Sequence, residues 1–287
     1  RNMELKNMIE MKNKDLQNLL KKTQRMANIA GKDIPQVVSC VIQQAGEDNG
    51  RAVTCSIVRD GITSVASFGV PCEPSEGAKR IIVPSIELLL GVLKHHRETV
   101  RLTQDGRQLR VSSPNKQTTL AADKRAKAFP HSQETVESWF EKSVERRGQF
   151  LLPLKEYKTG DGEKIGASDM FSVSVADLRD ALSVGFANGQ KCPYFVMDES
   201  ENDYIEISVG DTMKGLTNTQ IPTFGGLNEA IVVEASGLEN TLALCNGATE
   251  ITAYVFDFRP LGAKGGLLAL DIRGEGIVLQ RVKYVDE

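Results

Sequence analysis

Phe171-Ser172-Val173-Ser174-Val175-Ala176-Asp177-Leu178-Arg179-Asp180-Ala181-Leu182 changes its periodicity halfway along. Up to Val175, apolar and small polar residues alternate with the two-residue rhythm of a half-buried strand. From Val175 the apolar positions move to Leu178, Ala181 and Leu182, the three-and-four spacing of an amphipathic helix. The spacing predicts a strand over 170–175 running directly into a helix over 175–187, with Phe186 extending its buried face. A strand feeding a helix, with further strands behind it, is a unit that recurs.

Towards the start of the chain, a helix is predicted over 15–30. Leu16, Leu19, Leu20, Thr23 and Met26 mark one face, and Asn18, Lys21, Lys22 and Arg25 the other. Strands are expected over 37–43, 52–58 and 62–68, the last two joined by Arg59-Asp60-Gly61, a strong hairpin signal. The next unit opens with 79–83 and Pro84. A helix over 85–95 directs Ile86, Leu89, Leu90 and Leu93 inward, and strands follow over 99–103, 108–112 and 117–121. Gln104-Asp105-Gly106 and Ser113-Pro114-Asn115 supply their turns. Beyond the opening stretch, strands are expected over 194–198 and 204–209. A fourth unit has a strand over 230–234, a helix over 236–245 burying Leu238, Thr241, Leu242 and Cys245, and strands over 250–257, 266–273 and 276–284. A polar stretch, 131–168, separates the two pairs; it holds a predicted short helix over 134–146 and a Gly/Lys/Asp-rich loop over 159–164. The fold class is therefore α+β, with two similar domains: 8–148, its connector starting at about 131, and 149–287.

A chain of 287 residues, 40% hydrophobic and 25% charged, is long enough for two such domains with ordinary cores. It has no apolar run of membrane-spanning length, and its first residues are too polar for a signal peptide. Five scattered cysteines without a CxxC pair fit reduced thiols in a cytoplasm. The net charge of −3 hides an asymmetry. Residues 1–148 carry 24 Lys+Arg against 17 Asp+Glu, and the remainder 11 against 21. A basic front and an acidic back invite nucleic-acid contact by the first, or attraction between chains.

Catalytic and metal chemistry find little footing. His95, His96 and His131 have no Cys or carboxylate at ligand spacing. The acidic run Asp198–Asp203 lacks the glycine and closing glutamate of a calcium loop, and Gly262-Ala263-Lys264-Gly265-Gly266 lacks phosphate-loop spacing. No GxSxG or HExxH motif occurs. No catalytic residue, metal site or cofactor is therefore expected; a hydrolase on a repeated scaffold would need a cluster of perturbed titratable groups that the sequence does not reveal.

Three stretches carry a resemblance. Ser56-Ile57-Val58-Arg59-Asp60-Gly61-Ile62-Thr63-Ser64-Val65-Ala66 resembles the strand–Asp-Gly–strand segment of a bacterial β-clamp domain. Val111-Ser112-Ser113-Pro114-Asn115-Lys116-Gln117-Thr118-Thr119-Leu120, with Phe129-Pro130 beyond it, resembles the hairpin and Phe-Pro that close such a domain. The opening stretch, 171–182, is similar to the strand-into-helix start of one. Taken in order, they resemble the DNA sliding clamp family. Only two domains can be placed, as in proliferating cell nuclear antigen and phage clamps, rather than the three of the bacterial β clamp. The third unit has Gly210-Asp211-Thr212 where Asp-Gly would stand.

The resemblance implies two β-α-β-β-β units per domain, helices lining a hole, sheets outside, and a ring closed by head-to-tail association, here a homotrimer. It implies a non-enzymatic processivity factor in the cytoplasm of a bacterial or phage-infected cell. Its partners would be duplex DNA, a polymerase bound through a short linear motif, and a clamp loader. The DNA-facing residues would be Lys14, Lys21, Lys22, Arg25 and Lys32, then Lys94, His95 and Arg97, and Arg179. The partner-peptide pocket would draw on Gly61, Ile62 and Ser64, on Val136, and on Ile277, Val278 and Leu279. A plain solvated face accounts for Lys21, Lys22 and Arg25 as well, and strand core for Ile277 and Leu279. The predicted fourth helix has no Lys or Arg and carries Glu239, which fits a clamp-derived binding or regulatory protein that forms no ring.

Overall fold

The computed structural model describes residues 7–27, 37–45, 50–58, 64–74, 80–121, 144–146, 149–151, 156–158, 163–186, 194–198, 203–211, 215–245, 250–272 and 276–285. The chain divides into two compact units, Arg1–Ser143 and Val144–Glu287.

In the first unit the order is β1 (Asn7–Lys12), α1 (Asn13–Ala27), β2 (Val37–Ala45), β3 (Arg51–Val58), β4 (Ser64–Pro71), β5 (Arg80–Val83), α2 (Ile86–Leu93), β6 (Thr99–Asp105), β7 (Gln108–Ser113) and β8 (Lys116–Ala121). The halves exchange their first strands. β1 runs antiparallel to β6 at the edge of β1-β6-β7-β8, and β5 runs antiparallel to β2 at the edge of β4-β3-β2-β5. Neither half can complete its sheet without the other. Leu16, Leu19 and Leu20 of α1 and Leu89 and Leu93 of α2 are almost fully buried with Ile9, Ile42, Ile81 and Leu102 from the strands. Burying such aliphatic side chains stabilises by about 1.5–3 kcal/mol each before the entropy cost of ordering them. Thr23, on the same helix face, is buried and tied by its hydroxyl to the Leu19 carbonyl (2.9 Å) and to the Thr54 hydroxyl of β3.

The second unit repeats this plan after two hairpins. β9 (Val144–Arg146) pairs with β10 (Gln149–Leu151), and β11 (Glu156–Lys158) with β12 (Lys164–Gly166). Then come β13 (Asp169–Ser174), α3 (Val175–Phe186), β14 (Tyr194–Asp198), β15 (Tyr204–Asp211), β16 (Gly215–Gly226), β17 (Ile231–Glu234), α4 (Ala235–Leu244), β18 (Glu250–Asp257), β19 (Gly266–Ile272) and β20 (Gly276–Tyr284). The exchange is the same: β13 pairs with β18 and β17 with β14. β13 also meets β16, and β17 meets β20. At the first of these seams Gly225 has φ +87°, and a Cβ there would lie 2.3 Å from the Met170 carbonyl oxygen, so no side chain fits. Beyond β18, the single turn of 3-10 helix Arg259–Leu261 is fixed by Arg259. Its guanidinium stacks 3.6 Å from the Tyr284 ring centre and pairs with Asp257 (2.9 Å) and Glu229.

Several expectations are corrected. The predicted helix over 134–146 ends in the β9 strand instead, and its residues 134–143 lie outside the described residues. The predicted connector is not all linker: Tyr157 of β11 packs against Phe256 and Phe258, with ring centres 5.7 Å apart in each case. Burial there pushes the Tyr157 phenol up to about 12. The long strand β16 has no counterpart among the predicted strands. Its less exposed positions include Thr217, Thr219 and Thr223, while Leu216 and Phe224 are exposed. Ile221, on the same face as the threonines, is buried, but one apolar residue among them gives too little alternation to mark a strand.

Candidate nucleic-acid interface

β1 feeds α1 at Lys12-Asn13, and the junction is held from the other half of the unit. The Asn13 Nδ2 donates to the Leu93 carbonyl (2.9 Å) and the His96 carbonyl (2.6 Å), while the Asn13 backbone N–H donates to the Glu98 carbonyl (2.6 Å). The Gln17 Nε2 donates in turn to Asn13 Oδ1 (3.1 Å). Asn13, 5% exposed, thus gives the Leu93 and His96 carbonyls a side-chain donor where α2 runs out; the Leu93 carbonyl also accepts from the His96 backbone N–H (3.1 Å). α2 ends at Leu93, two residues short of the predicted His95, and the chain beyond it closes a turn through the His95 N–H and the Val92 carbonyl (3.0 Å).

The α2–β6 connection is fixed a second time by His96. It is 4% exposed, with Nδ1 2.9 Å from the Ser113 hydroxyl and Nε2 3.4 Å from the Thr118 hydroxyl. Burial, then Lys116 and His95, lower its pKa below the ordinary 6.5. A depressed folded pKa means the unfolded chain takes up the proton first as pH falls. His96 therefore contributes stability that is present above 6.5 and is lost as pH drops through its folded value. Denaturant melts at about pH 7.5 and about pH 5.5 should show a smaller acid loss in His96→Gln than in the parent; equal losses would contradict this role.

Between these anchors lies a groove of about 670 Å³ lined by Lys12, Asn13, Lys14, Gln17, Asn18, Lys21, His96, Arg97, Glu98 and Thr99. Lys14, Asn18, Lys21 and Arg25 follow one another at four- and three-residue spacing, so they form one stripe along α1. All four are exposed, and Lys22 beside them is partly buried. Lys94, His95 and Arg97 are exposed in the α2–β6 connection, and Arg97 joins the groove. The structure thus brings Lys14, Lys21 and Arg97 together. It adds Lys12, Asn13, Gln17 and Asn18, which sequence reading does not select.

Other expected residues stand elsewhere. Lys32, Gly61, Ile62 and Val136 lie outside the described residues. Arg179 is on the exposed side of α3, but its guanidinium donates to the Leu242 carbonyl in the last turn of α4 (2.8 Å). A cation there offsets the negative end of the helix, a structural task. α4 itself carries no Lys or Arg. Ser64 opens β4. Ile277, Val278 and Leu279 sit within β20 and are 0%, 2% and 2% exposed. Neighbouring strand residues point to opposite faces, so Val278 cannot line the same wall as Ile277 and Leu279. Among the described residues no group of His, Cys, Asp and Glu could hold a metal ion, and no helix is long and apolar enough to cross a membrane.

No protein-family model and no curated protein matches the sequence. Solved structures do match by shape. A DNA polymerase sliding clamp from Pseudomonas aeruginosa aligns with TM-score 0.61 and 14% identity over 96% of this chain and 66% of its own. The DNA polymerase III subunit beta of Borrelia burgdorferi aligns with 0.58 and 14% identity over 98% and 64%. A Helicobacter pylori beta clamp bound to a DNA ligase peptide aligns with 0.58 and 12% identity over 96% and 66%. The chain has the fold of the DNA sliding clamps. It spans about two thirds of the length of the bacterial polymerase III beta clamps it resembles.

Proposed function

We propose that this protein is a DNA sliding clamp: a non-catalytic ring that encircles duplex DNA and tethers a DNA polymerase, and other partners bearing a short linear motif, to it. The carrying observation is the strand-exchanged β-α-β-β-β pattern, found twice in each unit, together with a cationic stripe on the first helix. On this reading 8–148 and 149–287 are two clamp domains. Three chains associate head to tail into six domains, with helices facing the hole and sheets outside.

Such a ring needs no tight contact. Enclosure prevents sideways escape, so weak phosphate contacts by Lys14, Lys21, Lys22, Arg25, Lys94, His95 and Arg97 suffice, and their lack of sequence reading allows sliding. A basic first unit meeting an acidic second unit favours one orientation of chain against chain. A loader would open the ring in the cytoplasm of a bacterial or phage-infected cell.

Light scattering should give three times the 31.4 kDa chain mass. A monomer at micromolar concentration would instead favour a clamp-derived binding protein that forms no ring, the reading favoured by an α4 without Lys or Arg.

A further inference from the structure

We infer that the β11–β12 hairpin is a displaceable cover over a peptide-docking face of β18-β19-β20, and that a partner segment anchored by an aromatic residue docks there when the hairpin lifts. The inference rests on the reading that this chain tethers partners through a short linear motif, and it adds how access to the second unit is controlled.

Cross-strand registers sort the side chains of this sheet by face. Thr252, Asp271 and Ile277 form one row, Tyr254, Ala269 and Leu279 the next, and Phe256, Leu267 and Arg281 the third. Gln280, between Leu279 and Arg281, points the other way and meets α4, where a Cβ added to Gly237 would collide with its amide. The three rows therefore face away from the helices. In the first unit the same face of β1-β6-β7-β8 is polar: Glu10, Arg101, Ser112 and Gln117 form one of its rows, and none of them is buried. In the second unit Tyr254, Phe256, Leu267, Ala269, Ile277 and Leu279 share that face and are all buried, at 7% exposure or less. Apolar on both faces, this sheet needs a cover that its counterpart does not.

The hairpin contributes to that cover. The Tyr157 ring lies 5.7 Å from the rings of Phe256 and Phe258, and Ile165, its cross-strand partner, shares its side of the hairpin. Tyr157 and Ile165 are half-buried, whereas Glu156 and Lys164 are exposed. Arg281, exposed at the end of the Phe256 row, is close enough to act on the Tyr157 phenol. The face thus already takes an aromatic anchor beside a cation, which fits a peptide pairing an aromatic with an acidic residue. Strands of three residues are too short to hold a hairpin by themselves, and the Glu156–Lys164 ion pair, at 3.4 Å, is exposed and adds little. A hairpin held chiefly by its contact with the face can lift without unfolding the sheet beneath it.

The test uses the full chain and, as probe, a labelled synthetic peptide of residues 153–168 in fluorescence anisotropy, with circular dichroism to confirm folding. A closed hairpin lowers the apparent affinity by the fraction of chains that are open, so Tyr157→Ala should bind the peptide at least ~10-fold more tightly than the parent. Tyr157→Phe, which keeps the ring, should bind it as the parent does, and the same peptide carrying Tyr157→Ala should bind none of the three. Hydrogen exchange of the parent should show the β11–β12 amides opening together at least ~100-fold faster than those of β18 and β19. Equal affinity in the parent and Tyr157→Ala, no binding to a folded Tyr157→Ala, or hairpin amides protected as well as those of β19 would each overturn the inference and make the hairpin a fixed layer. Should Tyr157→Ala not fold, exchange in the parent decides alone. The chain mass, read separately by light scattering, tests the ring and is indifferent to the hairpin.

Discussion

A chain carrying Lys21→Glu, Lys22→Glu and Arg25→Glu should fail to accumulate on nicked circular DNA at about 0.1 M salt, with its fold intact. Unit charges a few ångströms apart in water interact by ~1 kcal/mol, so reversing three cations next to phosphates changes the interaction by roughly 3–6 kcal/mol. That weakens the encounter with DNA that precedes closure by ~100-fold or more. Lys21 and Arg25 are exposed, so their replacement leaves the core alone. Lys22 is partly buried and makes an interaction of its own, so a modest fall in melting temperature accompanies the loss. Loading and retention equal to the parent, measured by gel filtration of protein–DNA complexes, would remove this stripe from the DNA-facing surface.

Asn13→Ala should be the most destabilising polar substitution in the first unit, by about 2–3 kcal/mol. It removes both bonds from Nδ2, strips the Gln17 amide of its acceptor, and leaves the His96 carbonyl in a buried setting without that donor. The Leu93 carbonyl keeps the His96 backbone N–H at 3.1 Å, which holds the loss to that range. Asn13→Asp should be at least as damaging, because it places carboxylate oxygens against two carbonyls. Urea unfolding would measure both. A change below about 0.5 kcal/mol for Asn13→Ala would mean that water replaces the amide and that the junction is not held as described.

Periodicity locates the helices because their buried faces are made of large aliphatics at helical spacing: Leu16, Leu19 and Leu20 in α1, Ile86, Leu89, Leu90 and Leu93 in α2. It also finds the fourfold recurrence, since each strand-to-helix start breaks the rhythm in the same way. What it misses is set by long-range contact. The end of α2 is held by a side chain 80 residues earlier, and the same amide reaches the His96 carbonyl across 83 residues. Arg179 looks like a free surface cation until its carbonyl partner, 63 residues away, is seen. β16 is invisible to periodicity because its pairing with β15 and β13, not its composition, makes it a strand. The buried positions of Ile277, Val278 and Leu279 follow from an apolar run that reads equally well as pocket wall or strand core. Only the β19–β20 register separates their faces.

The decisive measurement is the lifetime of the loaded protein on one DNA in two topologies. Bound to a nicked circle, the chain should stay for many minutes. Cutting that circle once, far from any bound protein, should release it within the time needed to slide to an end, and capping the new ends with a bulky protein should restore retention. Equal lifetimes on circle and cut DNA would mean that the protein grips rather than encircles, and would contradict enclosure as the basis of its function.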